Sequence, residues 1–287
     1  MHWFHPDRQR PSVVVLGAGD RPTVKRELNS IVSAIESLAD VADVNLHLDY
    51  DFSDTDHDLV IVLGGDGSIL QTARLMGENQ TPVLGVNCGW LGFLAALSPE
   101  RFLTNWPEIV AGKFSMVEHL MLRCSLVRRG EVIADRLGLN ETAVLGGPPY
   151  RILDIDLYVD SELATTYRCD GLILCTPVGS TAHNLSAGGP IVRKDMQAFI
   201  VSPISPHTLT YRPVVDSADR EFELTVNNPN ASTSVVVDGR VLSTLEVGDR
   251  VHIRRSTNAF KMLAVAGQND YRTLREKLGW GGSLRVR

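Results

Sequence analysis

The sequence predicts an open parallel α/β domain followed by an all-β layered domain. Three observations carry this. The first hundred residues alternate apolar runs with stretches of helical period; after about Lys113 short alternating or β-branched segments take over; and a glycine-rich turn, Gly64-Gly65-Asp66-Gly67-Ser68, closes an apolar run at a strand-to-helix junction.

Ser12 to Leu16 (SVVVL) reads as the first strand, ended by Gly17-Ala18-Gly19. Between Val24 and Ala39, Leu28, Ile31, Val32, Ile35 and Leu38 recur at the spacing of one helix face. A short strand is expected from Val44 to Leu48, followed by an acidic loop, Asp49 to Asp58. Leu59 to Leu63 is unbroken Val, Ile and Leu, the pattern of a strand covered on both faces. A helix from Ser68 to Met76 and a buried strand from Pro82 to Val86 follow. In the second part, strands are expected at Val117 to Arg129, Arg151 to Val159, Glu221 to Val226, Ser234 to Val237 and Arg250 to Arg254. Turn residues such as Asp238-Gly239 separate them, and Tyr271 to Leu278 reads as a short amphipathic helix. The implied domains are a mobile leader (1–11), an α/β domain (12–113), a β domain (114–262) and a tail (263–287) that docks back on the first domain.

Composition narrows the function. The 287 residues are 44% hydrophobic and 22% charged with a net charge of −6, and no block of lysines and arginines stands out. An extended nucleic-acid surface is not expected from such a chain. No apolar stretch approaches the ~20 residues that span a bilayer, and the start MHWFHPDRQRP lacks the apolar centre of a secretory signal. Cys88, Cys124, Cys169 and Cys175 are scattered without metal spacing, which fits reduced thiols in a cytoplasmic protein.

Chemistry gathers in three places. The GGDGS turn brings backbone N–H groups and the positive end of a helix dipole together, with Ser68 expected as the N-cap, and this suits phosphate. Asp66 would repel phosphate unless it holds a metal ion or accepts a proton from an attacking hydroxyl, both tasks of phosphoryl transfer. The plainer reading is a tight turn whose Asp bonds nearby backbone; the residues alone leave both open. The second place is YRCDGLILCTPVGSTAHNLSAGGP, Tyr167 to Pro190. There a strand (Gly171 to Thr176) runs into hydroxyl-rich turns that offer a polar pocket wall or an ordinary β-domain loop. The third is Leu139-Asn140-Glu141-Thr142, whose adjacent Asn and Glu can hold both hydroxyls of a ribose or sit in a solvated turn. Gly17-Ala18-Gly19 has Pro22 in place of a third glycine and is no dinucleotide fingerprint.

These stretches add up to a known pattern. GGDGS at 64–68, Gly85-Val86-Asn87 with Leu91-Gly92-Phe93-Leu94, LNE at 139–141 and DGLILCTPVGSTAHNLSAGGPIV at 170–192 resemble the NAD kinases in order and spacing. SPISPHTLTYRP at 202–213, VDGR at 237–240 and LREKLGWGG at 274–282 extend the resemblance over about residues 13–282. A lone GGDG also occurs in lipid kinases and phosphofructokinases; the later blocks are specific. The resemblance implies a C-terminal β-sandwich. It also implies transfer of the terminal phosphoryl of ATP, with magnesium or another divalent metal, to the 2′-hydroxyl of the adenosine ribose of NAD. Asp66 matches the catalytic aspartate, and Gly64, Gly65 and Gly67 its nucleotide-binding turn. Asn140 and Glu141 match the ribose-holding pair. Arg151, Arg168, Asp170, Val178 and Arg240 fall at nucleotide contacts, and Thr181, Ala182, His183, Asn184, Leu185 and Ser186 match the loop around NAD. A homodimer or homotetramer is implied as well, and no metal ligand is assigned.

Three positions depart from the family. His183 stands where Tyr is usual, Trp90 where Arg, Asn or His is common, and Lys194 where Pro is usual. His207 and Trp280 match the family but read best as packing residues. Two alternatives remain at this level: a lipid kinase of the diacylglycerol or sphingosine type, for which the acidic chain offers no membrane-facing surface, and a non-catalytic NAD(P)-binding sensor.

Overall fold

The computed structural model describes residues 3–53, 56–90, 92–95, 97–266 and 270–279. The chain forms two compact units, residues 1–117 with 261–287 and residues 118–260.

In the first unit β1 (Ser12–Gly17), α1 (Pro22–Leu38), β2 (Asp40–Asn45), β3 (Leu59–Gly64), α2 (Asp66–Met76), β4 (Val83–Asn87) and α3 (Pro99–Val110) follow one another. The strands form a parallel sheet in the order β2-β1-β3-β4, with Val13 opposite Leu59 and Val60 opposite Val83. β3 and β4 are buried at every residue because helices cover both faces, which explains their unbroken apolar runs. Ile31 and Ile35 of α1 and Phe102, Trp106 and Ile109 of α3 pack with Val13, Ile61 and Leu84 in one core.

Two expectations for this unit are corrected. β2 lies at 40–45, not 44–48: the Ala39 N–H closes α1 on the Ile35 carbonyl and Asp40 N–H pairs at once with Pro11, so the strand follows the helix without a loop. As an edge strand it is largely exposed and carries no apolar signature. Helix α3 was not expected, because Pro107 in its interior interrupts the helical pattern. Its start has the usual signals, Ser98 accepting the Arg101 N–H at 3.3 Å and Pro99 in the first turn. Residues 3–11 of the expected leader make contacts with this unit. Trp3 Nε1 donates to the Val110 carbonyl at 3.0 Å, and Arg8 pairs with Asp58 at 2.8 Å and Asp56 at 2.6 Å.

The second unit contains β5 (Ser115–Arg128), which begins in the first unit, then β6 (Glu131–Gly138), β7 (Glu141–Leu145), β8 (Leu153–Val159), β9 (Glu162–Cys169), β10 (Gly171–Cys175), the short helix α4 (His183–Ser186), β11 (Ala198–Ile204), β12 (Val214–Ser217), β13 (Phe222–Val226), β14 (Ser234–Val237) and β15 (Arg240–Thr244). β16 (Arg250–Ala264) starts here and ends in the first unit, where Met262 pairs in parallel with Val83. One antiparallel sheet has the order β12-β11-β10-β7-β14-β15; the other contains β16-β13-β8-β9, with β5 and β6 alongside. Leu122, Val144, Leu172, Leu174, Phe199 and Phe222 fill the core of this sandwich. On the far side of β10, Ile173 and Cys175 pack under Val192 and Ala187 from the following segment, so this strand too is buried throughout. Strands β6, β9, β11, β12 and β15 were not expected; β6, β9, β12 and β15 are sheet-edge strands with mostly exposed residues and little apolar alternation, whereas β11 lies inside its sheet and is buried at all but its last residue.

The tail helix α5 (Asp270–Leu278) belongs to the first unit, where Lys277 Nζ lies 4.2 Å from the centre of the Phe93 ring. All four cysteines are free and buried. Among the described residues no helix is long and apolar enough to cross a membrane.

Candidate functional site

The first unit places the GGDGS turn at the carboxyl end of β3, where ligands bind in open α/β sheets. Helix α2 begins two residues earlier than the sequence suggests. Its N-cap is Gly65, not Ser68, and the N–H groups of Ser68 and Ile69 both reach the Gly65 carbonyl, at 3.0 and 3.3 Å. Ser68 is buried in the first turn, pressed so close to Gly64 that a β-carbon there would collide with its Oγ. Gly67 differs from its neighbours. It is exposed, and a β-carbon on it would meet nothing within 4 Å, so the fold does not require a glycine there. The space above the helix N-terminus is left open for something to approach the backbone.

Asp66 is the first residue of α2. Its Oδ2 accepts the Phe93 N–H at 2.7 Å, and its Oδ1 accepts those of Leu94 at 2.9 Å and Ala95 at 3.0 Å. A carboxylate offers about four lone-pair positions, so roughly one remains for a further donor. Both readings of Asp66 therefore have a footing. It clamps a loop, and it keeps capacity for one hydroxyl. The loop is fixed from its other side by Asn87, whose Nδ2 donates to the carbonyls of Ala95 at 2.9 Å and Trp90 at 2.8 Å. The Trp90 side chain itself is 96% exposed.

Beside the turn lies a cavity of about 730 Å³ lined by Gly19, Arg21, Lys25, His47, Gly67 and Gln71 among others. It sits where the N-terminal ends of α1 and α2 meet, and it holds two permanent cations. That combination favours a polyanion. Sequence reasoning missed Arg21 and Lys25. The signal was present in Gly17-Ala18-Gly19 followed by Pro22 at the helix start, a second glycine-rich strand-to-helix turn that was weighed only as a dinucleotide fingerprint. Among the described residues no group of three or more His, Cys, Asp or Glu is placed to hold a metal.

In the second unit, Asn140 and Glu141 stand at the start of β7, both more than nine-tenths buried. Their backbone is held from two directions. Asp238, in the turn between β14 and β15, accepts the N–H groups of Leu139 and Asn140 at 2.8 Å and of Glu141 at 3.1 Å. Thr176 donates its hydroxyl to the Leu139 carbonyl at 2.6 Å and its N–H to the Asn140 carbonyl at 2.8 Å. Gly179 then packs against Asn140 so closely that a β-carbon would collide with the Asn140 carbonyl oxygen. Glu141 has no hydrogen-bond partner for Oε2, and its carboxyl is pushed up to about 7 by burial and by the neighbouring Asp238 charge, partly offset by the His183 N–H. A buried polar atom without a partner is a group waiting for one.

Two family models match the chain: the ATP-NAD kinase N-terminal domain over residues 15–114 and the ATP-NAD kinase C-terminal domain over residues 139–265. The chain belongs to the ATP-NAD kinase family. It is 63% identical to the NAD kinase of Rhodopirellula baltica over 277 residues, 96% of this chain and 89% of that one. It is 38% identical to the NAD kinase of Cellvibrio japonicus over 88% of this chain and 87% of that one. The fold is similar to yeast NADH kinase complexed with NADH (TM-score 0.87, 23% identity, 98% of this chain and 91% of that one). It is also similar to an NAD kinase from Archaeoglobus fulgidus in complex with ATP (TM-score 0.75, 28% identity, 93% and 98%).

Within this ATP-NAD kinase chain the residues named from sequence fall into distinct surroundings. Gly179 packs against Asn140 and the His183 N–H reaches Glu141, while Val178, next to Gly179 in the chain, is buried. Asn184 is fully buried and engaged on every side: its Oδ1 accepts from Ser202 at 2.6 Å, and its Nδ2 donates to the carbonyls of Ser180 and Pro190. It braces the loop. Thr181 turns its hydroxyl back to the Val178 carbonyl, while the side chains of Ala182 and Leu185 are half-buried and those of His183 and Ser186 exposed. Arg168 pairs with Asp154 at 3.0 Å, and Asp170 lies 3.7 Å from His207. Arg151 and Arg240 are exposed. The residue that sequence reasoning passed over here is Asp238, whose Asp-Gly dipeptide was read only as a turn.

Proposed function

We propose that this chain transfers the terminal phosphoryl group of ATP to the 2′-hydroxyl of the adenosine ribose of NAD, giving NADP and ADP. The observation that carries the reading is Asp66, with room for one more donor, at a helix N-terminus beside a cationic cavity. The match to both kinase domain families supports it.

In this mechanism the N–H groups at the start of α2, with Arg21 and Lys25, hold the donor phosphates. Asn140 and Glu141 hold the ribose hydroxyls, and the Thr181–Ser186 loop lies along NAD. Asp66 accepts the proton as the 2′-oxygen bonds to phosphorus and the bond to the ADP oxygen breaks. Its contribution is placement, since phosphoryl transfer depends on alignment and charge neutralisation more than on covalent chemistry. Magnesium or a similar ion, arriving with ATP, supplies further neutralisation of the triphosphate. The same reading makes the protein a cytoplasmic homodimer or homotetramer, which gel filtration with light scattering checks.

The deciding experiment is a coupled assay with NAD or NADH, crossed against ATP or polyphosphate, with and without magnesium. ATP-dependent formation of NADP is the expected result. Binding of NAD without turnover under any donor would identify a sensor instead.

A further inference from the structure

We propose that Asp238 is a positioning residue for nucleotide binding, holding Asn140 and Glu141 in the arrangement that receives the ribose. The inference rests on the function proposed above and assigns a role to a residue outside the predicted site.

The geometry begins in the hairpin of β14 and β15. Val237 pairs with Arg240, and the two residues between them, Asp238 and Gly239, have φ of +46° and +73°. This is a two-residue turn of the kind that Asp-Gly favours. Strand β14 also pairs with β7, with Val237 opposite Thr142, so the turn comes to rest against the residues that lead into β7. There the Asp238 side chain accepts three successive N–H groups, those of 139, 140 and 141, and its own N–H donates to the Glu141 carbonyl at 3.0 Å. A β-carbon at Gly138 would lie 2.8 Å from a Val237 methyl and 3.4 Å from Asp238 Oδ1, so the approach depends on glycine there as well.

The carboxylate braces residues 139–141 through three N–H groups, and the residues it braces include the candidate ribose-holding pair. The same carboxylate also acts on Glu141, whose proton affinity is raised first by burial and second by the Asp238 charge. The groups facing Glu141 are Asp238 from the β14–β15 turn, the His183 N–H from the start of α4 and the Cys175 thiol from β10. What the clamp secures is direction. With the backbone of 139–141 fixed on one side by Asp238 and on the other by Thr176, the two side chains leave the strand from a set origin.

The test is steady-state kinetics of Asp238→Asn, which keeps shape but loses the charge and one acceptor. The expected result is a KM for NAD raised roughly 10- to 100-fold, the scale of a displaced binding group, with the KM for ATP within about twofold. The ascending pH limb of kcat/KM for NAD should move to lower pH, because Glu141 loses its anionic neighbour. Glu141→Gln should abolish that limb, and Asp238→Asn placed on it should add no further shift. Should Asp238→Asn fold poorly, Asp238→Glu gives the same reading: a raised KM for NAD with the limb where it was. Equal losses toward both nucleotides with an unmoved pH profile would overturn the proposal and leave Asp238 a structural brace. A wild-type protein that makes no NADP would instead overturn the function on which it rests.

Discussion

Gly92 and Asp66 are in contact so close that a β-carbon at 92 would overlap Asp66 Oδ1. The close approach lets the chain curl around the carboxylate and deliver the N–H groups of Phe93, Leu94 and Ala95 to it. The glycine of the Gly92-Phe93-Leu94 stretch and the aspartate of the GGDGS turn are therefore one feature, though 26 positions separate them in sequence.

Asp66→Asn is expected to lower turnover at least ~100-fold, the usual scale of lost general-base catalysis. From sequence alone, NAD binding would survive this change. The structure adds a second effect: an amide has one acceptor oxygen where the carboxylate has two, so the 93–95 loop loses part of its clamp. Destabilisation of about 1–3 kcal/mol should accompany the kinetic loss, visible in urea melts and as faster amide exchange at 93–95. Retention of most activity would remove Asp66 from the role of base.

Gly67→Ala separates stability from function. The position is helical and a methyl group there meets nothing, so stability should hold or rise by up to about 1 kcal/mol. The same methyl fills the space over the helix N-terminus, and kcat/KM should fall by at least about tenfold if phosphate approaches there. Thermal melts beside kinetics give both answers from one preparation, and unchanged kinetics would place the phosphates elsewhere.

Glu141 makes stability depend on pH. Its proton affinity is raised in the folded chain, from an ordinary value of 4.5 to about 7. Between these values the folded state keeps a proton that the unfolded state releases. Stability from this group therefore falls as pH rises from about 4.5 through 7, then levels, by an amount on the order of 3 kcal/mol. Urea melts of wild type and Glu141→Gln at pH 5 and pH 8 should show the variant gaining on wild type at the higher pH. A difference that does not change with pH would mean that Glu141 ionises as it does in solvent.

Arg21→Ala and Lys25→Ala test the cavity. Each should raise the KM for ATP about tenfold, the effect of losing a charge-assisted phosphate contact of about 1.5 kcal/mol, while the KM for NAD stays near wild type. The wild-type KM for ATP should also rise with salt as screening grows. Variants that bind ATP normally would move the donor site away from this cavity.

Much of the architecture was legible because burial writes itself into sequence. β3 and β10 lie covered on both faces and read as unbroken apolar runs, and α1 shows its packed stripe at helical spacing. β2, β6, β9, β12 and β15 lie at sheet edges, where half-exposed strands need no such pattern, and α3 was hidden by the proline inside it. The candidate site was nominated from its motifs for a similar reason: glycines at a strand-to-helix turn and an adjacent Asn-Glu pair are local patterns that suit phosphate and ribose chemistry. What the sequence determined by itself was therefore the α/β-then-β order of the two parts and the family, and it nominated Asp66, Asn140 and Glu141 as candidates. The tertiary structure alone decided which groups surround them. Three amides from 93–95 surround Asp66, Asp238 clamps 139–141, Arg21 and Lys25 line the cavity, and Asn184 turns inward as a brace. These contacts join residues far apart in the chain, and hydrogen-bond and charge complementarity across such distances leaves no periodic mark in sequence.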